Sequence, residues 1–352
     1  MIWLTWRQLR TQAAAVYAAV AAFAVVLAIT GPRLLDLSRA YPNAVLDYLT
    51  RTDRNLYVAG LMVMALAPAI IGAFWGAPMV AREMEGGTHR LAWNQTVTRT
   101  RWLATKLGVT ALAAAAAVGV LTLGVTWWAR PLDGAQGGNS VTLGDALPAR
   151  LTPVSFAMRG IAPVGYAVFA LVLGVATGII LRRTVPAMAL TLAVFTAVQI
   201  AVPLWVRPHL VPPARHTVTI TEANFAGINV LEGPTPMVQL VVRASEPGAW
   251  VLSNQTVDAS GRPVDTLPSW MVDKCIPPPP PSAPPFSSKP VAPEPDMHSC
   301  LTRLTDLGYR QQVVYQPASR FWTLQWAETA LFLAVSALLA GFCFWWTRHR
   351  LS

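Results

Sequence analysis

Six long apolar runs divide the chain, and they alternate with polar segments of very unequal length. The runs cover residues 13–30, 56–80, 107–128, 161–181, 185–206 and 324–346. Each has 18 to 25 residues, which as a helix is enough to cross a hydrocarbon core about 30 Å thick. Only one charged residue, Glu328, lies inside them. The pattern predicts an all-α polytopic membrane protein with six transmembrane helices.

The longest polar segment precedes the last apolar run. It has strand-like stretches of alternating or β-branched residues at 217–221, 237–243, 250–253 and 312–315, which predict a small β-containing domain. The sequence therefore divides into transmembrane helices 1–5 (residues 1–206), an extracytoplasmic domain (207–321), and a sixth helix with a cytoplasmic tail (322–352). Within the loop before the fourth helix, residues 151–160 are expected to form an amphipathic surface segment.

Two of the three cysteines flank a proline-rich stretch in the predicted extracytoplasmic domain. Cys275 and Cys300 lie on either side of Pro277–Pro281 and further prolines. In an oxidising compartment they are expected to form a disulfide that closes the segment 275–300 as an extended loop, the alternative being two free thiols. Cys343 lies in the last apolar run and is expected to be a packing residue.

The formal net charge of +10 is distributed very unevenly between the two sides of the predicted membrane. With the N-terminus in the cytoplasm, the inner segments carry eleven basic and two acidic residues, against sixteen and fifteen outside. This asymmetry predicts cytoplasmic N- and C-termini in the cell membrane, and it makes nucleic-acid binding the weaker explanation of the charge. Residues 1–12, with Trp3, Trp6, Arg7 and Arg10, suit an interfacial helix better than a cleaved signal peptide.

Motifs for catalysis and for binding metals or nucleotides are missing from the sequence. No G-x-x-x-x-G-K-[ST] loop, H-E-x-x-H, C-x-x-C or G-x-S-x-G motif occurs, and the five histidines are scattered. We therefore expect no catalytic residues, no metal site and no cofactor in this chain. Two glycine pairs at i, i+4 spacing, Gly72 with Gly76 and Gly174 with Gly178, indicate close helix packing.

The polar segment 81–107 between the second and third runs is strongly basic, with five basic residues and two acids. A break at Gly86–Gly87 is followed by Thr88, which can cap a short helix reaching Trp93. An ordinary cytoplasmic loop would also be basic, and its two acids, Glu83 and Glu85, would then pair with Arg82 and Arg90.

The pattern of this segment is more specific than its charge. Arg-Glu-x-Glu-x-Gly-Thr, then Leu91, then Arg99-x-Arg101 and Lys106 resembles the loop after the second span of type-2 ABC exporter permeases of an actinobacterial kind. Val97 departs from the family pattern, which often has proline there. The resemblance implies that a coupling helix in this loop meets the ATPase subunit. The implied coupling residues are Arg82, Glu83, Glu85, Gly87, Thr88, Arg90, Leu91, Arg99 and Arg101.

The resemblance also implies a function and an assembly. The chain would be the permease subunit of an ABC exporter, not itself an enzyme, that couples ATP hydrolysis by a separate ATPase subunit to substrate export. Two permeases, identical or different, and two ATPase subunits would form the working unit. The alternatives are a membrane sensor or anchoring protein whose extracytoplasmic domain binds a ligand or partner, and, third, a membrane enzyme.

Overall fold

The computed structural model divides into two compact units, which we call the helical unit and the β unit. The helical unit comprises Met1–Pro212 and Ser319–Ser352, and the β unit comprises Pro213–Ala318. The structure describes residues 2–41, 45–87, 98–135, 149–231, 237–243, 246, 248–264, 267–268, 270–271, 275 and 297–350. The central part of the predicted coupling loop, residues 88–97, and most of the proline-rich loop lie outside these ranges.

Seven helices of the helical unit, and one of the β unit, account for most of the described chain. They are α1 (Ile2–Ala40), α2 (Arg51–Glu85), α3 (Arg99–Ala135), α4 (Pro153–Ala157), α5 (Ala162–Leu181), α6 (Thr184–Leu210), α7 (Met297–Asp306, in the β unit) and α8 (Phe321–His349). Six of them are long and apolar enough to cross a membrane, which confirms the six predicted spans. Two contain one π-helical stretch each, Ile71–Gly76 in α2 and Val202–Val206 in α6.

Most of these helices are longer than the apolar runs that predict them. The 39 residues of α1 extend about 58 Å at 1.5 Å per residue, roughly twice the hydrocarbon thickness. Residues 2–12 continue this helix without a break, so they do not form a separate interfacial helix. Helices α2, α3, α6 and α8 likewise carry polar flanks beyond their apolar runs, and this places charged residues on helix ends.

Helix α5 is the most buried of the six, and it packs against α2 through the predicted glycines. A Cβ at Gly76 would lie 2.4 Å from the carbonyl oxygen of Leu171, and a Cβ at Gly174 would lie 2.3 Å from that of Gly72. Both distances are far below van der Waals contact, and the obstructing atoms belong to the backbone. The two glycine pairs are therefore each other's packing partners, and they bring α2 and α5 into backbone contact.

Side-chain contacts show which helix ends lie together. The Tyr17 hydroxyl donates to Ala113 O, and Trp128 Nε1 donates to Thr30 Oγ1 at 2.9 Å, so α1 and α3 run parallel. Helix α2 runs antiparallel to α3, and Arg348 near the end of α8 donates to Thr100 near the start of α3. We call this end, with the starts of α1 and α3 and the ends of α2 and α8, the basal end. The other end is the distal end.

Among its described residues, the β unit contains two antiparallel sheets, the helix α7 and the expected disulfide. Its strands are β1 (Ala214–Thr219), β2 (Phe225–Leu231), β3 (Met237–Val242), β4 (Trp250–Val257) and β5 (Arg310–Gln316). One sheet has the order β1-β5-β4, and β2 pairs with β3 in the other. The sequence did not predict β2, because Gly227 and Asn229 interrupt its alternation. The Gln311 side chain connects the sheets, since its Nε2 donates to Leu240 O at 2.8 Å and to Asn254 Oδ1 at 2.7 Å.

The disulfide joins Cys275 to Cys300, as the sequence predicts. Both residues are buried, and Cys300 lies on α7, whose Leu301 and Leu304 belong to the same apolar core as Leu240 and Met271. A loop of this length, with a sequence separation of 25, contributes about 3–4 kcal/mol in the chain-entropy model. Buried Cys343 is the remaining cysteine and is unpaired among the residues that the structure describes.

Candidate functional site

At the basal end, an ion pair joins the end of α2 to the start of α3. Glu83 and Lys106 are in direct contact, with side chains 20% and 7% exposed respectively. The Lys106 ammonium also lies 4.8 Å from the centroid of the Trp102 ring, which adds a cation–π contact. Glu83 thus pairs with Lys106 on the next helix, a contact that the ordinary-loop alternative, with pairing to Arg82 and Arg90, does not include. The Glu83 carboxylate therefore links α2 to α3, the two helices that flank the loop.

The second acid of the segment connects α2 to the turn between α5 and α6. Glu85 Oε2 accepts from the backbone N–H of Thr184 at 3.1 Å and from its hydroxyl at 2.7 Å. Thr184 is the first residue of α6, where unpaired N–H groups and the helix dipole favour a carboxylate. Arg182, two residues before Thr184, has a left-handed φ of 54°. This conformation allows the chain to reverse direction in the two residues between α5 and α6.

The structure brings the described coupling residues of the sequence prediction to one place. Arg82, Glu83 and Glu85 lie in the last turn of α2, Gly87 follows two residues after its end, and Arg99 and Arg101 lie in the first turn of α3. Thr88, Arg90 and Leu91 fall outside the described residues. The side chains of Arg82 and Arg101 are exposed, so this basal face presents positive charge, whereas both acids are engaged within the chain.

At the distal end, a second and wholly buried cluster joins α5, α6 and α8. Arg207 is 1% exposed and Glu328 is 0% exposed. Arg207 Nε donates to Glu328 Oε2 at 2.7 Å and Nη2 donates to Oε1 at 2.9 Å, so the pair is bidentate. The Tyr166 hydroxyl donates to Glu328 Oε1 at 2.5 Å and accepts from Arg207 Nη2 at 3.4 Å. We call these three residues the distal cluster.

The segment that contains α4 covers the distal cluster and accepts a further hydrogen bond from Arg207. Arg207 Nη1 donates to Pro153 O at 3.0 Å, and the guanidinium lies 4.2 Å from the centroid of the Phe156 ring. One turn before Glu328, the Gln325 amide donates to the carbonyl oxygens of Phe156 and Arg159. Residues 153–159 are thus held between helices, and the amphipathic surface segment expected for 151–160 is wrong, since Phe156 and Arg159 are buried.

Further polar contacts fix the same segment to α3. Arg159 and Asp133 form a bidentate pair with distances of 2.8 and 2.7 Å. The Thr122 hydroxyl donates to Gly160 O at 2.6 Å. Gly160 has a φ of +76°, and a Cβ there would lie 2.7 Å from the Gln325 amide oxygen, so this position favours glycine. These bonds make the surroundings of the distal cluster rigid on the α3 side.

Sequence reasoning missed the distal cluster for a simple reason. It assigned Arg207 to the extracytoplasmic insertion because this residue follows the fifth apolar run, whereas the structure continues α6 through it to Leu210. Glu328 stood out as the only charge inside a run, and a charge within a membrane span needs a partner. The available signal was therefore an arginine close to the distal end of another helix, and Arg207, directly after the fifth apolar run, is such a residue.

Comparison with known proteins places the chain in a family. The profile of the family described as ABC-2 membrane transporter related matches residues 14–207, which is more than half of the 352 residues and includes α2, α3, α5, most of α1 and nearly all of α6. The chain belongs to the ABC-2 membrane transporter related family. No curated protein and no solved structure gave a significant match.

Family membership bears on both the basal segment and the distal cluster of this ABC-2 protein. It is a multi-pass membrane component of a transporter, and the matched region includes the whole basal segment from Arg82 to Lys106. The match also ends at Arg207 of the distal cluster. Glu328 on α8 lies beyond the match and completes this cluster from the last helix.

Proposed function

We propose that this ABC-2 protein is the permease subunit of an ABC exporter, driven by a separate ATPase subunit that docks on the basal face. The proposal rests on the basal segment, which lies within the family match. There Arg82 is exposed at the end of α2, and Arg101 is exposed at the start of α3. The chain has no phosphate-binding loop of its own, so ATP hydrolysis has to come from a partner.

The contacts at the basal end suit the transmission of force from such a partner. The end of α2 is joined to α3 through Glu83 and Lys106 and to α6 through Glu85 and Thr184. Arg348 near the end of α8 donates to Thr100 at 3.1 Å. A displacement of the segment after α2 would therefore reach three other helices through short polar contacts. In this proposal Glu83 and Glu85 position the helices, and the arginines face the ATPase.

The docking face can be tested by reversing its charge. We expect the double substitution Arg82→Glu/Arg101→Glu to reduce co-purification of the ATPase at least tenfold, because charged contacts in a docked interface cost several kcal/mol when one partner is reversed. The measurement is affinity purification of tagged permease at equal expression, with mass spectrometry for a protein that carries a G-x-x-x-x-G-K-[ST] loop.

Arg130→Glu is the matched control, since Arg130 is exposed at the distal end of the same helix as Arg101; it should leave co-purification unchanged. Glu83→Gln/Glu85→Gln is the second comparison. Equal recovery of the ATPase with wild-type and arginine-reversed permease would refute docking on this face. A larger loss with the glutamine pair than with the arginine pair would move the docking role to the two acids.

The proposal requires the basal end, with both termini, to face the cytoplasm and the β unit to be extracytoplasmic. Single cysteines replacing Arg101 and Arg130 should then react from opposite sides of the membrane. In intact cells an impermeant maleimide should label the Arg130→Cys protein and should label the Arg101→Cys protein only after permeabilisation. The reverse pattern would invert the orientation, and labelling of both from outside would contradict the topology. The background carries Cys343→Ser.

The family assignment further supports an assembly of two permeases, identical or different, with two ATPase subunits. Substrate would pass between or beside the permeases, and the extracytoplasmic β unit would follow the fifth membrane helix in each.

A further inference from the structure

The distal cluster lies where the chain leaves the helical unit and where it returns. Arg207 is five residues before Pro212, the last residue of the first helical segment, and Glu328 is nine residues after Ser319, the first residue of the second. The two connections to the β unit are thus joined by one ion pair. Arg320 also donates to Pro212 O, so the polar contacts continue to the end of the helical unit.

A buried ion pair of this kind is poorly explained by stability alone. Removing two charges from water has a large desolvation cost, which the Coulomb attraction and hydrogen bonds only offset. Apolar residues of similar volume are often as stable or more stable at such positions. In a membrane protein, an ionisable residue inside the bundle is by default a candidate for function. The buried pair of Arg207 and Glu328 therefore points to a function rather than to stability alone.

The position of the cluster allows it to open toward water. Arg207 follows the π-helical stretch of α6, and Pro203 and Pro208 weaken the helical hydrogen bonding on both sides of it. Glu328 lies only two turns after the start of α8. If α6 and α8 separate at this end, both charges regain hydration, which compensates for the lost pairing. An apolar pair would have no such compensation, because opening would expose it to water.

We propose that Arg207, Glu328 and Tyr166 form a releasable latch that closes the helix bundle at its distal end. In the closed state the latch holds α6 and α8 against α5 and fixes the segment 153–159 that covers it. In the open state the charges are hydrated and the segment 153–159 is accessible to solutes. The description of this opening as the exit of a transport route rests on the proposed function; the opening itself does not.

Opening can be measured with a buried cysteine reporter between Pro153 and Phe156, the two residues of α4 that Arg207 contacts. Ser155 lies on α4, is 0% exposed, and its Oγ is 3.2 Å from the Tyr57 hydroxyl. In a Cys343→Ser background, the permease with Ser155→Cys is reconstituted in liposomes and treated with a charged methanethiosulfonate reagent. We expect slow but complete labelling with the native latch, and labelling at least tenfold slower with the apolar pair Arg207→Met/Glu328→Leu.

The control reporter is Ser336→Cys, because Ser336 is 4% exposed in the middle of α8 and should stay unlabelled in both proteins. Tyr166→Phe provides a second test that does not depend on the folding of the double variant. It removes the hydroxyl that bonds both charges and should accelerate reporter labelling severalfold.

The latch would be overturned by no labelling of Ser155→Cys in the native protein, by equal rates with the apolar pair, or by an unchanged rate with Tyr166→Phe. Labelling of the Ser336→Cys control at the same rate would also overturn it, because the opening would then be general. The assay contains no ATPase, so its failure leaves the proposed function standing, and loss of ATPase docking leaves the latch intact.

Discussion

Glu328→Leu is expected to lower the free energy of unfolding by about 3–5 kcal/mol, because it leaves the Arg207 guanidinium buried without a counter-ion. Arg207→Met should lower the free energy of unfolding by a similar amount, since it leaves the Glu328 carboxylate buried without a counter-ion. The double variant should recover most or all of the wild-type stability, because neither charge then remains in the bundle. The measurement is unfolding of the purified protein in detergent micelles, analysed as a double-mutant cycle.

The control for this cycle is an exposed ion pair of the same chain. Asp36 and Arg39 are one turn apart on α1, 3.6 Å between charged atoms, with side chains 76% and 78% exposed. Asp36→Leu should leave the midpoint of unfolding nearly unchanged, as expected for a solvated pair. A double variant at Arg207 and Glu328 that is as unstable as either single variant would contradict our account of the distal cluster.

The second large effect is expected from a single methyl group between α2 and α5. Gly174→Ala would place a Cβ 2.3 Å from Gly72 O and 2.7 Å from Ala77 N. Both obstructing atoms belong to the backbone, so rotation of a side chain cannot relieve the clash, and the helices must separate. We expect a loss of about 1–3 kcal/mol or more, measured by the same unfolding assay and by the yield of folded protein.

Gly341→Ala on α8 is the matched substitution, since no described atom lies within 4 Å of a Cβ built there. It should be neutral or stabilising by up to about 1 kcal/mol, because alanine is the better helix former. If Gly174→Ala were tolerated as well as Gly341→Ala, the backbone contact between α2 and α5 would be disproved. A loss confined to Gly174→Ala would confirm that this contact defines the centre of the bundle.

The basal segment shows how far local sequence reasoning reaches. The spacing of Arg82, Glu83, Glu85, Arg99 and Arg101 pointed to the family, and the family profile supports that resemblance. The same spacing suggested local partners for the acids, but Glu83 reaches Lys106, 23 residues away, and Glu85 reaches Thr184, 99 residues away. Partners this distant depend on which helices are neighbours, and no pattern within the segment specifies that.

The sequence by itself determined the membrane class, the number of spans, the disulfide and the glycine faces. Each of these depends on local quantities: the length of an apolar run, the compartment of two cysteines, or residue size at helical spacing. Only the tertiary structure decided that α2 and α5 share their glycine faces and that Arg207 belongs to α6 and pairs with Glu328, 121 residues away. The physical reason is desolvation: a buried charge is tolerated only beside its partner, and helix packing chooses that partner.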